Sequence, residues 1–478
     1  MTAACRGVTF DGRCASLSAR QAANSANVEI PTPKTSSPME KFVTADPTST
    51  TVPATSNPGI GFFGRRTPNP ASRFDRVDIV LQGGVITAIA PTGSPVPEPA
   101  TVQDCDGGLV FPAFVDLHTH LDKGQIWPRR SNPDGSFMGA LNAVMADREA
   151  NWSADDVERR MEFALRCAYA HGTAAIRTHL DSAPPQGAIT WPVFDRLRAR
   201  WAGRIELQAV ALLGPDPLLD RGLVDEVAAT VKAHGGRLGG AISVHERAAD
   251  AIAAAVEAAG RHGLDLDLHI DESEDPASRS LRSLADTVIA TGFTGSVVAG
   301  HCCSLAIHDE AFAAATIARV AEAGIAVVSL PMCNLYLQDR HAGSTPRWRG
   351  VTPVQELLRA GVAVCLASDN TRDPFYAYGD LDGLEVLREA ARIAHLDHPM
   401  EEAFGWARAV SATPARIGGF AYRGEIAPGA PADLVLFRAR SWTELMARPQ
   451  SDRIVLRSGR VIDRTLPDYR ELDDLMHR

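Results

Sequence analysis

Val110-Phe111-Pro112-Ala113-Phe114-Val115-Asp116-Leu117-His118-Thr119-His120 is a run of aliphatic and aromatic residues that stops at two histidines. A short apolar run of this kind reads as a strand. Seven more such runs follow, at 174–178, 205–212, 238–244, 266–270, 296–299, 325–330 and 362–367. With the first, at 109–117, they number eight. Ala- and Arg-rich stretches of helical period separate most of them, at 155–171, 223–234, 248–262, 310–323 and 353–360. Strands that alternate with helices build βαβ units and a parallel sheet. Eight such units over about 300 residues predict an α/β fold, a (β/α)8 TIM barrel. An open doubly wound sheet is the rival that the pattern alone leaves.

The flanks of the barrel read differently. Strand-like runs at 77–81 and 85–89 enclose Gly83-Gly84, and runs at 453–456 and 460–462 enclose Ser458-Gly459, with a further run at 433–437. Turn residues between β-branched runs make hairpins. The reading is a small β-sandwich domain formed by both ends of the chain, 61–108 and 416–478 with a C-terminal tail, around a catalytic barrel at 109–415. Residues 1–60 stand apart. The part from 29 to 59 is rich in Pro, Ser and Thr and shows neither strand nor helix period, which predicts a disordered N-terminal extension. No 7–15-residue apolar core follows Met1, so a secretory signal is not expected. Arg6, Arg13 and Arg20 faintly suggest a transit peptide, and Met39 competes as a start.

Composition sets further bounds. The 478 residues are 45% hydrophobic and 22% charged, with a net charge of −10. That balance argues against a nucleic-acid surface, which needs clustered Lys and Arg. No 18-residue apolar stretch exists to span a membrane. Eight scattered cysteines without CxxC spacing fit reduced thiols in a cytoplasmic enzyme. The oligomeric state is left open, homo-oligomers included.

A barrel places its chemistry where strands end. Run one ends in His118-Thr119-His120, run two in His179-Leu180-Asp181, run five in His269-Ile270-Asp271-Glu272, run six in His301 and run eight in Ser368-Asp369-Asn370. Residues two apart on a strand face the same way, so His118 and His120 can grip one metal ion. His269 and Asp369 would complete the donor set, with one position left for water. Cys302 and Cys303, beside His301, read as small buried residues rather than ligands. The zinc deaminase pattern HxE with PCxxC is absent, since Pro331-Met332-Cys333-Asn334 does not match it.

At this point the sequence resembles the amidohydrolase superfamily, and within it the bacterial cytosine deaminase branch. The resemblance rests on His118-Thr119-His120-Leu121-Asp122, Arg177-Thr178-His179-Leu180-Asp181 and Leu207-Gln208-Ala209-Val210-Ala211. It continues in His269-Ile270-Asp271-Glu272, Asn334-Leu335-Tyr336-Leu337-Gln338, and Ser368-Asp369-Asn370 with Asp373-Pro374. It runs from about 77 to about 465. It implies that His118, His120, His269 and Asp369 hold one divalent ion, iron or zinc. It implies further that Glu272 shuttles protons to a ring, that His301 orients the attacking hydroxide, and that Asp369 takes part in the proton transfers. Two-metal relatives carry a lysine after strand four; here that strand ends Ser243-Val244-His245-Glu246, which favours one ion.

The implied reaction is deamination of a free nucleobase-like heterocycle, as of cytosine to uracil and ammonia in pyrimidine metabolism. The alternative is cleavage of an amide or N-alkyl-amino bond in a ring such as a triazine. A non-catalytic barrel is disfavoured, because each matched ligand is present. The resemblance sets Lys123, His179, Gln208, Gly214, Gln338, Asn370 and Phe375 against the substrate. Several of these depart from the cytosine pattern: Gly214 stands where a glutamine reads the pyrimidine edge, Asn370 replaces a second aspartate, and Phe375 replaces a tryptophan. Lys123 is shared with a branch acting on N-substituted triazines. Trp127, Phe137, Tyr336 and Arg340 are further candidates for the pocket wall.

Overall fold

The computed structural model of the chain describes residues 41–45, 76–95, 100–398 and 403–477. Five short strands come first: β1 (Lys41–Ala45), β2 (Val77–Gln82), β3 (Val85–Pro91), β4 (Ala100–Asp104) and β5 (Val110–Pro112). Eight follow in alternation with helices: β6 (Phe114–Thr119), β7 (Thr173–Asp181), β8 (Glu206–Leu212), β9 (Arg237–Ile242), β10 (Leu266–Ile270), β11 (Val297–His301), β12 (Ala326–Ser329) and β13 (Val364–Leu366). Three more close the series: β14 (Leu434–Leu436), β15 (Ile454–Arg457) and β16 (Arg460–Val461).

Strands β6 to β13 form one parallel sheet in sequence order, and a parallel bridge between Thr119 and Asp369 joins its two edges. The sheet is a barrel, as the eight runs predict. Alternate residues divide its two faces. Leu266, Leu268 and Ile270 of β10 pack outward with the helices, while Asp267 and His269 point inward. The floor of the interior is apolar: Leu117, Val298, Val328 and Cys365 pack with Phe420 and Tyr422. The Tyr422 hydroxyl donates to the carbonyl of Ala113, just ahead of β6, which puts this plug at the N-terminal end of the strands.

The sandwich also forms. One sheet has the order β3-β2-β1-β4, the other β16-β15-β14-β5. Ile79, Leu81 and Ile86 of the first meet Ala432, Leu434, Leu436 and Leu456 of the second. Two details differ from the sequence reading. The run 109–117 is broken at Ala113: β5 pairs with β14 in the sandwich, and only β6 enters the barrel. Pro112 has no N–H for a central ladder, which favours the outer sheet. Lys41–Ala45, inside the segment expected to be disordered, is a strand between β2 and β4; residues 1–40 and 46–60 lie outside those described. The C-terminal tail packs on the barrel. Leu472, Leu475 and Met476 bury themselves against Phe163 and Cys167 on the barrel helix Ala154–His171. Arg159–Asp474 at 2.7 Å and Arg166–Glu471 at 2.5 Å flank that contact.

Helix Ala154–His171 shows how local sequence places the site. Ser153 caps its N-terminus by accepting from the Asp156 amide, Asp155 and Asp156 complement its dipole, and Gly172 ends it at φ 106°. Its two fully buried charges pair with each other: Arg160 donates to Asp156, and also to the carbonyls of Asp122 and Gly124. The loop that follows the paired histidines is thus pinned from behind. Arg160→Ala leaves a buried carboxylate and two carbonyls without this partner, and is expected to cost about 3–5 kcal/mol. Equilibrium denaturation of the two proteins measures that difference.

Candidate active site

Three imidazoles and one carboxylate meet above the polar end of the barrel. His269 Nε2 lies 3.0 Å from both His118 Nε2 and His120 Nε2. Asp369 Oδ1 lies 3.2 Å from His120 Nε2 and 3.5 Å from His118 Nε2. The backbone explains the convergence. β6 delivers the first two rings, β10 sets His269 opposite Gly300 and Ala241, and the chain leaves β13 through Asp369 at φ 64°. Gly300 is required there, because a Cβ would come within 2.8 Å of His118 Cε1.

This donor set fits a divalent cation. Neither Asp369 oxygen has a hydrogen-bond partner, and the three other ring nitrogens, Nδ1 of His118, His120 and His269, have none either. Burial first, then the charges of surrounding histidines and Lys123, push all three rings well below the ordinary imidazole range, so they stay neutral and can donate lone pairs. Burial raises Asp369 to about 7, a cost that a bound dication reverses. Neutral imidazoles with one carboxylate suit zinc or iron better than magnesium.

Two further groups face this centre. Glu272 follows β10, its amide held by Ser243 Oγ at 3.1 Å. Burial, and then the nearby Asp369 carboxylate, hold its carboxyl well above the usual range. His301, at the end of β11, donates from Nδ1 to Asn334 Oδ1 at 2.8 Å. That bond fixes its tautomer and leaves Nε2 as a bare acceptor, 3.5 Å from Glu272 Oε2 and 4.0 Å from Asp369 Oδ2. Burial lowers its pKa to about 4.

The remaining sequence candidates divide. Lys123 is buried with Nζ 3.2 Å from Asp181 and 5.8 Å from the Phe375 ring centre. Burial opposes its charge, but Asp181, Asp122 and Asp373 hold it above the ordinary lysine range. Asn370 donates to Asp373 Oδ2 at 2.7 Å, and Asp373 in turn takes the Phe375 amide at 2.8 Å. Phe375 packs edge-on to Phe137 at 5.4 Å. Gln338 is buried just past helix Pro331–Leu337. Gly214 caps the short helix Pro215–Leu219 two residues after β8, and a Cβ there would meet only Pro217 at 3.8 Å.

Gln208 is a correction. Its Oε1 accepts from Arg177 Nε and Nη2, and its Nε2 donates to the Gly418 carbonyl. Four residues before the end of β8, it serves the barrel floor rather than a ligand. His179 is also set back, fully buried beside the rings of His118, His269 and His120. Sequence reasoning gave no role to Asn334, Asp181, Asp122 or Asp373. All four lie inside the quoted motifs, so their presence there was the available signal.

Metal-dependent hydrolases are the class that this barrel and donor set define. The profile of the amidohydrolase family matches residues 201–463. Pterin deaminase of Rhizobium rhizogenes is 56% identical over 427 residues, 89% of this chain and 95% of that protein. The chain belongs to the amidohydrolase family and is a hydrolytic deaminase within it. Among solved structures, 5-methylcytosine deaminase from Klebsiella pneumoniae liganded with 5-fluorocytosine is 26% identical with a TM-score of 0.72, covering 83% of this chain and 96% of that one. N-isopropylammelide isopropylaminohydrolase from Burkholderia multivorans is 26% identical with a TM-score of 0.67, covering 89% and 98%.

A dication held by these four groups has two measurable consequences. Purified protein should carry about one equivalent of metal, and His269→Ala should lose it, as read by elemental analysis. Because the rings resist protonation, metal should survive exchange at about pH 6 and leave only on further acidification.

Proposed function

We propose that this enzyme deaminates a free pterin: the 2-amino group of the pteridine leaves as ammonia and the ring gains a 2-oxo group from water. The identity of 56% across 89% of the chain to a pterin deaminase carries the reading. Gly214 supports it. In the cytosine pattern a glutamine reads the ring edge there, whereas here no side chain projects and a Cβ would meet only Pro217. A bicyclic ring makes use of that space. Cytosine itself, the narrower expectation from the motifs, is the comparison substrate.

His118, His120, His269 and Asp369 would hold the ion, zinc or iron. The ion supplies Lewis acidity that makes water a stronger acid near neutral pH. The protein's own groups do the rest. Glu272, kept protonated by burial, gives its proton to the ring nitrogen beside the amine-bearing carbon and makes that carbon electrophilic. His301 Nε2 accepts a hydrogen bond from the attacking water, its ring held by Asn334. Asp369 takes the proton that water sheds and passes it to the departing amine, and the hydroxyl left on the ring carbon returns a proton to Glu272 as the 2-oxo group forms. Lys123, charged and facing Phe375, lines the pocket beside the flat ring with Phe375, Asn370 and Gln338. A small heterocycle as partner, and free thiols at Cys167, Cys302, Cys303, Cys333 and Cys365, fit a cytoplasmic enzyme. Among the described residues no helix is long and apolar enough to cross a membrane.

Two measurements test this. Ammonia release from pterin should exceed ammonia release from cytosine, and alkylamine release from N-alkylated triazines, by orders of magnitude; preference for either of the others replaces the pterin reading. Glu272→Gln should keep its metal yet lose about 10²–10⁴-fold in kcat, the usual contribution of a positioned acid. Near-normal turnover would remove its proton role.

A further inference from the structure

Beneath the three histidine rings lies a polar belt that the reaction does not use. Arg177 and His179 of β7 and Asp267 of β10 fill the barrel there, almost wholly buried. Arg177 Nη1 donates to Asp267 Oδ2 at 2.7 Å, and its other nitrogens are anchored below on Gln208 and the Gly418 carbonyl. His179 Nε2 lies 3.7 Å from Asp267 Oδ1. The His179 ring centre is 4.1 Å from that of His118 and 4.6 Å from that of His269. His118, His179 and Asp267 each bring one donor atom within 4.8 Å of the others. His118 Nδ1, both His179 nitrogens and Asp267 Oδ1 have no hydrogen-bond partner, although an unserved buried polar atom costs about 1–3 kcal/mol. A second cation is the wrong occupant, because the Arg177 guanidinium already neutralises Asp267.

A histidine that gives one nitrogen to a metal hands its other N–H to an acceptor, which sets its tautomer and tilt. For His118 that other nitrogen is Nδ1, and His118 clusters with the polar groups of His179 and Asp267. We infer that His179 and Asp267 are positioning residues for the metal centre: Asp267, anchored by Arg177, orients His179, and His179 supports the His118 ring. This rests on His118 being a ligand. It also takes His179 away from the substrate, since the rings of His118, His120 and His269 surround it.

The test is Zn²⁺ titration of apoprotein against a chromophoric chelator, followed by assay of the zinc-saturated enzyme with pterin. His179→Phe keeps a ring in place without its nitrogens, and Asp267→Asn keeps volume without charge. Each should weaken Zn²⁺ binding about 10- to 100-fold, with KM of the saturated enzyme unchanged. The double variant should be no weaker than the worse single one, as expected of residues acting in one chain. With Co²⁺ bound, the visible ligand-field bands of His179→Phe should shift from wild type. Asp267→Asn carries the test by itself where His179→Phe does not fold. Wild-type zinc affinity in the variants overturns the inference alone, as does a raised KM with unchanged zinc affinity. A wild-type chain that takes up no zinc overturns the ligand reading and this inference with it.

Discussion

The amide of Asp369 donates to the carbonyl of His118 at 2.9 Å, and the rest of the molecule depends on that bond. It joins the last barrel strand to the first, so a sheet that would otherwise end in two open edges becomes closed. In the same step it brings the carboxylate from one end of the barrel sequence to the paired histidines at the other. Asp116 reinforces the seam by accepting from the Ser368 amide at 3.2 Å. Closure carries local strain: Asp369 sits at φ 64°, His301 at 65° and Asp271 at 52°, in the region that side chains disfavour. Such strain persists where surrounding structure over-determines it, and here the Asp369 amide is tied to His118 and the Asp271 amide to Ile242.

Burial is the second constraint, and it acts on charge. In this enclosed space an imidazole stays neutral and a carboxylic acid keeps its proton, which are the states that metal ligation and ring protonation need. Lys123 meets the same pressure and resolves it oppositely, because Asp181, Asp122 and Asp373 surround it. Two kinds of buried group therefore coexist side by side: neutral imidazoles, and a cation balanced by acids. The polar belt of Arg177, Asp267 and His179 separates this site from the apolar floor below.

Much of the architecture is legible in the sequence. The eight runs become the eight parallel strands, and the hairpins at both ends become the two sheets of the sandwich. Both are short-range signals, in which period and turn residues act on neighbours along the chain. Errors arose where partner choice mattered. Nothing local tells Val110–Pro112 to leave the barrel run and pair with Leu434–Leu436. Gln208 lies within a strand that borders the site, but its depth along that strand, fixed by pairing with Arg177, puts it at the floor.

By itself the sequence determined the strand and helix order, the barrel, and the identity of the groups at each strand end, because these follow from side-chain period and type. Tertiary structure alone decided which of those groups share a space: His269 within 3.0 Å of His118 and His120, His301 turned by Asn334, Gln208 withdrawn, and His179 set behind the rings. The reason is that proximity between residues 151 positions apart in the chain is set by register, twist and closure of the sheet. None of these is a property of any single segment.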